Sequence, residues 1–238
     1  MTKMIKPVKE KKAKSKKAPK NTRILFVLDR SGSMQCIARD TVGSFNTFVS
    51  EQKKVPGKAT LSLKLFDDRF EDVHVEVPLD EVPELTLEKF APRGWTALLD
   101  AVGQMISKHI NDNPKDTKTI LAILTDGEEN RSSEYTNTSV KALIERVQQE
   151  HDWSVMFLGA NINAGIVAGN MGISAKDAVT FDYHAAGAKS AMDTVCLASS
   201  SMRGFTGASA IGDAYSMGNA SLEDVYKTAM QNNADKQP

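Results

Sequence analysis

The sequence predicts an α/β fold in which a mainly parallel central sheet is covered by helices on both faces, with one antiparallel strand at the sheet edge. Three observations carry this prediction. Strand-like and helix-like segments alternate through most of residues 23–202, the pattern of a parallel sheet whose crossovers are helices. The segments "ILFVL" from Ile24 and "TILAIL" from Thr119 are unbroken apolar runs, as expected of strands buried on both faces. "ATLSLKLFDD" and "RFEDVHVEVP" instead alternate apolar and polar residues and are joined by a turn, which makes them a hairpin and supplies the antiparallel edge.

The elements follow in order. Of the 30 basic residues, nine lysines and Arg23 fall in Met1–Arg23 against the single acid Glu10, leaving 20 basic and 29 acidic side chains in the rest of the chain. Lys6 to Lys20 contains two prolines and no apolar core, so ordering it is not offset by burial, and residues 1–22 are expected to be a disordered Lys-rich arm. No apolar stretch of a secretory signal precedes Ile24, and no apolar run approaches the roughly 20 residues of a transmembrane helix. The expectation is a cytoplasmic protein without membrane contact.

After the first strand, Ile37 to Val55 has helical spacing at Ile37, Val42, Phe45, Phe48 and Val49 and stops at "VPGK". The connection Leu79–Trp95 holds prolines at 83 and 92, and its length points to function. A helix from Thr96 presents Leu98, Leu99, Val102, Met105, Ile106 and Ile110 on one face. The buried strand Thr119–Leu124 is followed by a helix over Val140–Val147, the strand "WSVMFLGAN", a short helix "AGIVAGNMGI", the strand "AVTFDY" and a last helix Ala185–Met202. Beyond it "RGFTGASAIGDAYSMGNAS" lacks periodicity, and Ser221 with Asp224 caps a short helix "LEDVYKTAMQ". The organisation read from this is an arm (1–22), one domain (23–202) and a partly irregular C-terminal extension (203–238). Cys36 and Cys196 are expected at different heights on their helices and therefore unpaired.

The ends of the buried strands hold the unusual chemistry. The first runs straight into "DRSGS", giving Asp29, Ser31 and Ser33; Thr96 opens the helix after the long connection; Asp126 follows the strand Thr119–Leu124. Ligands of open parallel sheets bind at the carboxyl ends of strands, so these segments are expected to converge. All five side chains end in oxygen. Two carboxylates completed by hydroxyls suit Mg2+ or Mn2+ and leave room for another ligand. The four histidines are scattered singly, which argues against zinc.

"DRSGS", then "GWT", then "LTDG" resembles the metal-ion-dependent adhesion site of von Willebrand factor type A domains, with all five motif positions matched. "LFDDRFEDVH", "PRGWTALLDAVG" and "FLGANINAGIVAG" are similar to segments of stand-alone bacterial and phage members, so the resemblance covers about Arg23 to Met202. It implies a Rossmann-like three-layer sandwich. It also implies that Ser31, Ser33 and Thr96 touch the metal directly, while Asp29 and Asp126 act directly or through water.

Around these residues, Asp100 reads either as support for Thr96 or as an acid favoured by the helix dipole. Trp95 and Arg93 read either as a rim that grips a partner or as loop packing, and Glu128 either as added negative field or as a solvated charge. The function expected is a non-enzymatic, divalent-metal-dependent interaction module that binds an acidic residue of a protein partner. One alternative is a phage or cellular assembly component whose Lys-rich arm contacts nucleic acid or another polyanion. A metal-assisted phosphohydrolase is disfavoured, because Ser31 stands where a second acid is needed, no lysine or base is evident at the rim and no G-x-x-x-x-G-K-S/T loop is present.

Overall fold

The computed structural model describes residues 19–235 apart from 113, 115, 206 and 208. The arm expected over 1–22 lies largely outside the described residues. Its last two positions already belong to the first strand, where Asn21 and Thr22 pair with Lys58 and Ala59.

Six strands form one sheet in the order β3-β2-β1-β4-β5-β6. β1 (Asn21–Asp29), β2 (Lys58–Phe66), β4 (Thr117–Thr125), β5 (Ser154–Ala160) and β6 (Ala178–Phe181) run parallel, and β3 (Phe70–Pro78) returns antiparallel from β2 as the edge. The hairpin and the mixed sheet therefore stand as the alternation of "ATLSLKLFDD" and "RFEDVHVEVP" predicted.

Period-two side-chain alternation explains why β1 is apolar throughout. Ile24, Phe26 and Leu28 enter one core with α1 (Ala38–Lys54), α2 (Leu87–Phe90) and α6 (Ala185–Met202), whereas Leu25 and Val27 enter a second core with α3 (Leu98–His109), α4 (Asn137–His151) and α5 (Ala164–Asn170). Phe26 meets Phe45 and Phe48 of α1 edge-on at 5.4 and 5.6 Å between ring centres, the arrangement that aromatic quadrupoles favour. These two packed layers hold the strand ends rigid.

The segment after 202 takes more structure than its missing periodicity suggests. It carries α7 (Ala210–Ser216) and α8 (Leu222–Ala234), the latter opened by a reciprocal Ser221/Asp224 capping box. Leu222 and Val225 of α8 are fully buried in the same core as α6 and β6, and Asn233 bonds to Ser190 and Asp193 of α6. α8 is thus a covering helix of the first core. Cys36 and Cys196 are both free thiols. Among the described residues no helix is long and apolar enough to cross a membrane.

β1 and β4 are sheet neighbours, but the chain leaves β1 for β2 on the other side. The crevice above the carboxyl ends of β1 and β4 is therefore the topological switch point of the sheet, where such folds bind ligands.

Candidate metal centre

Asp29 closes β1 and is completely buried. Its Oδ1 accepts the Ser31 backbone N–H at 2.6 Å and its Oδ2 accepts the Thr125 hydroxyl at 2.5 Å. Burial dominates these bonds and, with a smaller push from the Asp126 charge, raises the carboxyl to about 7. Among the described residues no cationic side chain offsets it, so ionising it leaves a buried negative charge without a counter-charge.

The other donors gather around it. The Ser31 and Ser33 hydroxyl oxygens lie 3.0 Å apart, and Ser33 donates to Asp126 Oδ1 at 2.8 Å. Burial also raises the Asp126 carboxyl. Ser31 is buried, Asp126 is partly buried, and Ser33 is exposed, so the cluster opens to solvent on the Ser33 side. Thr96 is buried and stands against the loop after Asp126: a Cβ built on Gly127 would lie only 2.9 Å from Thr96 Oγ1. Gly127 is what lets that loop pass so close. The structure therefore brings together all five positions picked from the sequence, four through hydrogen bonds and Thr96 by proximity.

Each segment is locked by its neighbours. Asn130 Oδ1 accepts the Thr96 N–H at 2.9 Å, and the Asn130 N–H donates back to the Thr96 carbonyl at 3.1 Å. Gly32 N–H donates to the Gly94 carbonyl at 3.2 Å and Arg93 N–H to the Arg30 carbonyl at 2.9 Å, which stitches the loop before Thr96 to the loop after β1. Beneath them the buried Arg30 guanidinium meets Asp67 at 3.0 Å and Glu71 at 2.7 Å, and Arg93 reaches the same Asp67 oxygen at 2.9 Å. The Tyr183 hydroxyl donates to the Ser33 carbonyl, joining the start of α6 to the cluster, and burial pushes that phenol up to about 12.

The four flanking residues divide. The Asp100 carboxylate accepts three backbone N–H groups, from Ser133, Glu134 and Tyr135, rather than a bond from Thr96, and so braces the loop after β4. Trp95 is 64% exposed, on the rim rather than packed under the loop. Arg93 is half-exposed and tied to Asp67. Glu128 is exposed. Sequence reasoning missed Thr125, Asn130 and Glu129. Glu129, which like Glu128 reads from the sequence as added negative field or a solvated charge, accepts the Leu99 N–H at 2.8 Å at the start of α3. Thr125 is visible only as the residue before Asp126 in "LTDG", and nothing near Asn130 in the sequence marks its bond to Thr96.

Comparison with known proteins now bears on the geometry. No sequence-family profile and no curated protein sequence matches the chain, but solved structures do. The pilus adhesin SpaC of Lactobacillus rhamnosus GG superposes with TM-score 0.59 at 14% identity, covering 74% of this chain and 30% of the adhesin. Proximal thread matrix protein 1 of the mussel byssus, solved with a zinc-occupied MIDAS motif, gives 0.54 at 15%, over 75% of this chain and 45% of that one. The manganese-loaded TRAP protein of Plasmodium vivax gives 0.51 at 15%, over 70% of both chains. The fold is that of a von Willebrand factor type A domain. The chain spans less than half the length of the mussel and pilus proteins.

The type A fold places its switch-point crevice over Asp29, Ser31, Ser33, Thr96 and Asp126, and the donors fit a hard divalent cation. They are all oxygens, two are carboxylates that burial makes costly to ionise, and among the described residues no lysine or arginine is a cause of their shifts.

Proposed function

We propose that this type A domain is a divalent-metal-dependent protein-interaction module, holding Mg2+ or Mn2+ through Asp29, Ser31, Ser33, Thr96 and Asp126. The observation that carries the reading is the buried, uncompensated Asp29 carboxylate inside a cluster of hydroxyl and carboxylate oxygens. A bound cation would supply the missing positive charge and an acceptor position for a carboxylate of a protein partner. The chain's own contribution is positional. Thr125 and the Ser31 N–H orient Asp29, Asn130 fixes the Thr96 backbone, and the exposed Ser33 edge is where the partner approaches. A binding module is favoured over a phosphohydrolase because, among the described residues, no histidine or lysine takes part in the hydrogen bonds of the five donors.

Titration calorimetry tests the reading. Protein stripped with chelator is titrated with Mg2+ and Mn2+, beside Asp29→Ala and Thr96→Ala. The wild type binds and both variants lose affinity by at least about tenfold, the scale of removing one charged or well-placed ligand. A wild type that takes up neither ion ends the proposal.

A further inference from the structure

The rim beside the oxygen cluster has a chemistry of its own. Trp95 is 64% exposed while Trp153, the other tryptophan of the chain, is 3% exposed. The Arg93 guanidinium gives its Nε to Asp67 at 2.9 Å, and its two terminal nitrogens have no partner among the described residues. Arg30, Arg93 and Lys89 meet Asp67 and Glu71 in one connected network, and the Asp68 carboxylate stands against Gly94 beside it, so it is the two unpaired Arg93 nitrogens rather than a net charge that offer a site for a carboxylate.

These two side chains sit on a held loop. Gly94 between them has φ +68°, and a Cβ at that position would fall 2.0 Å from Asp68 Oδ1. Only glycine passes that point without displacement. The loop is bonded to the residues around Ser31 and Ser33 through Gly32–Gly94 and Arg93–Arg30. A large aromatic face and the two unpaired terminal nitrogens of a guanidinium anchored on Asp67 are therefore presented on a held loop next to the cluster, which is how binding anchors are built.

We infer that Trp95 and Arg93 form a two-part recognition surface for an acidic peptide segment of the partner. Beside the acid that meets the metal, the segment carries a second carboxylate, taken by the Arg93 terminal nitrogens, and an aliphatic or aromatic side chain, laid against Trp95. Planar carboxylates pair with guanidinium forks through two parallel bonds, and a tryptophan face gains most from an apolar contact. The inference rests on the metal-bridged reading above and adds to it the identity of the flanking residues.

The test uses acetylated, amidated pentapeptides with the cores Leu-Asp-Glu and Glu-Asp-Leu, each with three relatives: Glu→Gln, Leu→Gly and the central Asp→Asn. Binding to the full chain in Mg2+ is read by calorimetry and, for proteins that keep it, by shielding of Trp95 fluorescence from iodide. With the better core, Glu→Gln weakens binding to wild type about tenfold or more but not binding to Arg93→Gln, and Arg93→Lys recovers part of the discrimination. Leu→Gly weakens binding to wild type by a similar factor but not binding to Trp95→Ala. Because peptides are compared on one and the same variant, any general loss from the substitution cancels.

Equal affinity of the Glu and Gln peptides for wild type, a Gln penalty that persists in Arg93→Gln, or no binding of any core to magnesium-loaded protein overturns the inference. Failure of the underlying reading looks different: either the wild type takes up no magnesium, or the Asp→Asn peptide binds as well as its parent.

Discussion

Replacing Asp29 by asparagine separates a structural carboxylate from one that awaits a cation. In the absence of metal the carboxyl is raised from 3.8 to about 7. At about 1.4 kcal/mol per pKa unit, keeping it charged opposes folding by at most ~4 kcal/mol. The sign follows from the direction: the unfolded chain ionises first, so the folded state holds the extra proton between pH 4 and 7, and metal-free stability falls across that window before levelling above it. The asparagine side chain has nothing to ionise. Its amide can still accept the Ser31 N–H, and Thr125, which lies 3.2 Å from the Gly127 carbonyl, can turn its proton there. After allowing about half of the gain for the lost charged hydrogen bonds, Asp29→Asn in chelator at pH 8 is more stable than wild type by about 2 kcal/mol. For a chain of this size that raises the melting temperature by roughly 4–8 °C. In magnesium the order changes, because only the wild type gains. The assay is thermal unfolding at pH 4.5 and pH 8, with chelator and with magnesium. A variant that melts below wild type in chelator at pH 8, or whose gain is the same at both pH values, refutes the claim that Asp29 is an uncompensated buried charge.

Other substitutions probe the supports. Asn130→Ala removes the acceptor for the Thr96 N–H and should weaken magnesium binding about tenfold while costing about 1 kcal/mol of stability, measured by calorimetry and urea unfolding. Val225→Asp places a charge in the fully buried face of α8 and should cost at least ~3 kcal/mol, seen as a drop in urea midpoint; a loss under about 1 kcal/mol would mean that α8 is dispensable to the core. Chelator should lower the melting temperature of wild type at pH 8 and leave that of Asp29→Asn unmoved, which scanning calorimetry in matched buffers checks directly.

Much of this was legible in the sequence because the signals were of two strong kinds. Burial on both faces makes β1 and β4 unbroken apolar runs, and an Asp directly after such a run stands out. Helix Ala185–Met202 agrees with the structure at both ends, since a proline-free segment of apolar and small residues bounded by "DYH" and "RG" leaves little choice. What escaped has physical reasons. α3 starts at Leu98, two residues after Thr96, because Thr96 is held by Asn130 outside the helix. α7 escaped because its seven residues turn little apolar surface inward, chiefly Tyr215. The ties of Thr125 to Asp29 and of Asn130 to Thr96 join residues 96 and 34 positions apart, and no local pattern encodes such a pairing. Arg30 occupies a variable position of the Asp-x-Ser-x-Ser motif, which says nothing of its burial, and it is a buried cation matched to Asp67.

β1 has one further consequence. Asn21 begins it and Asp29 ends it, so the strand crosses the whole sheet, about 26 Å at roughly 3.3 Å per residue. Asn21 thus lies at the pole of the domain opposite the oxygen cluster. Under the proposed function the domain would act as a spacer, with its Asn21 pole and its carboxylate-binding pole at opposite ends and engagement of one leaving the other sterically free. Tension applied between the two poles would run along the axis of β1, against strands that are hydrogen-bonded side by side, the direction in which all the ladder bonds must shear together rather than peel one at a time.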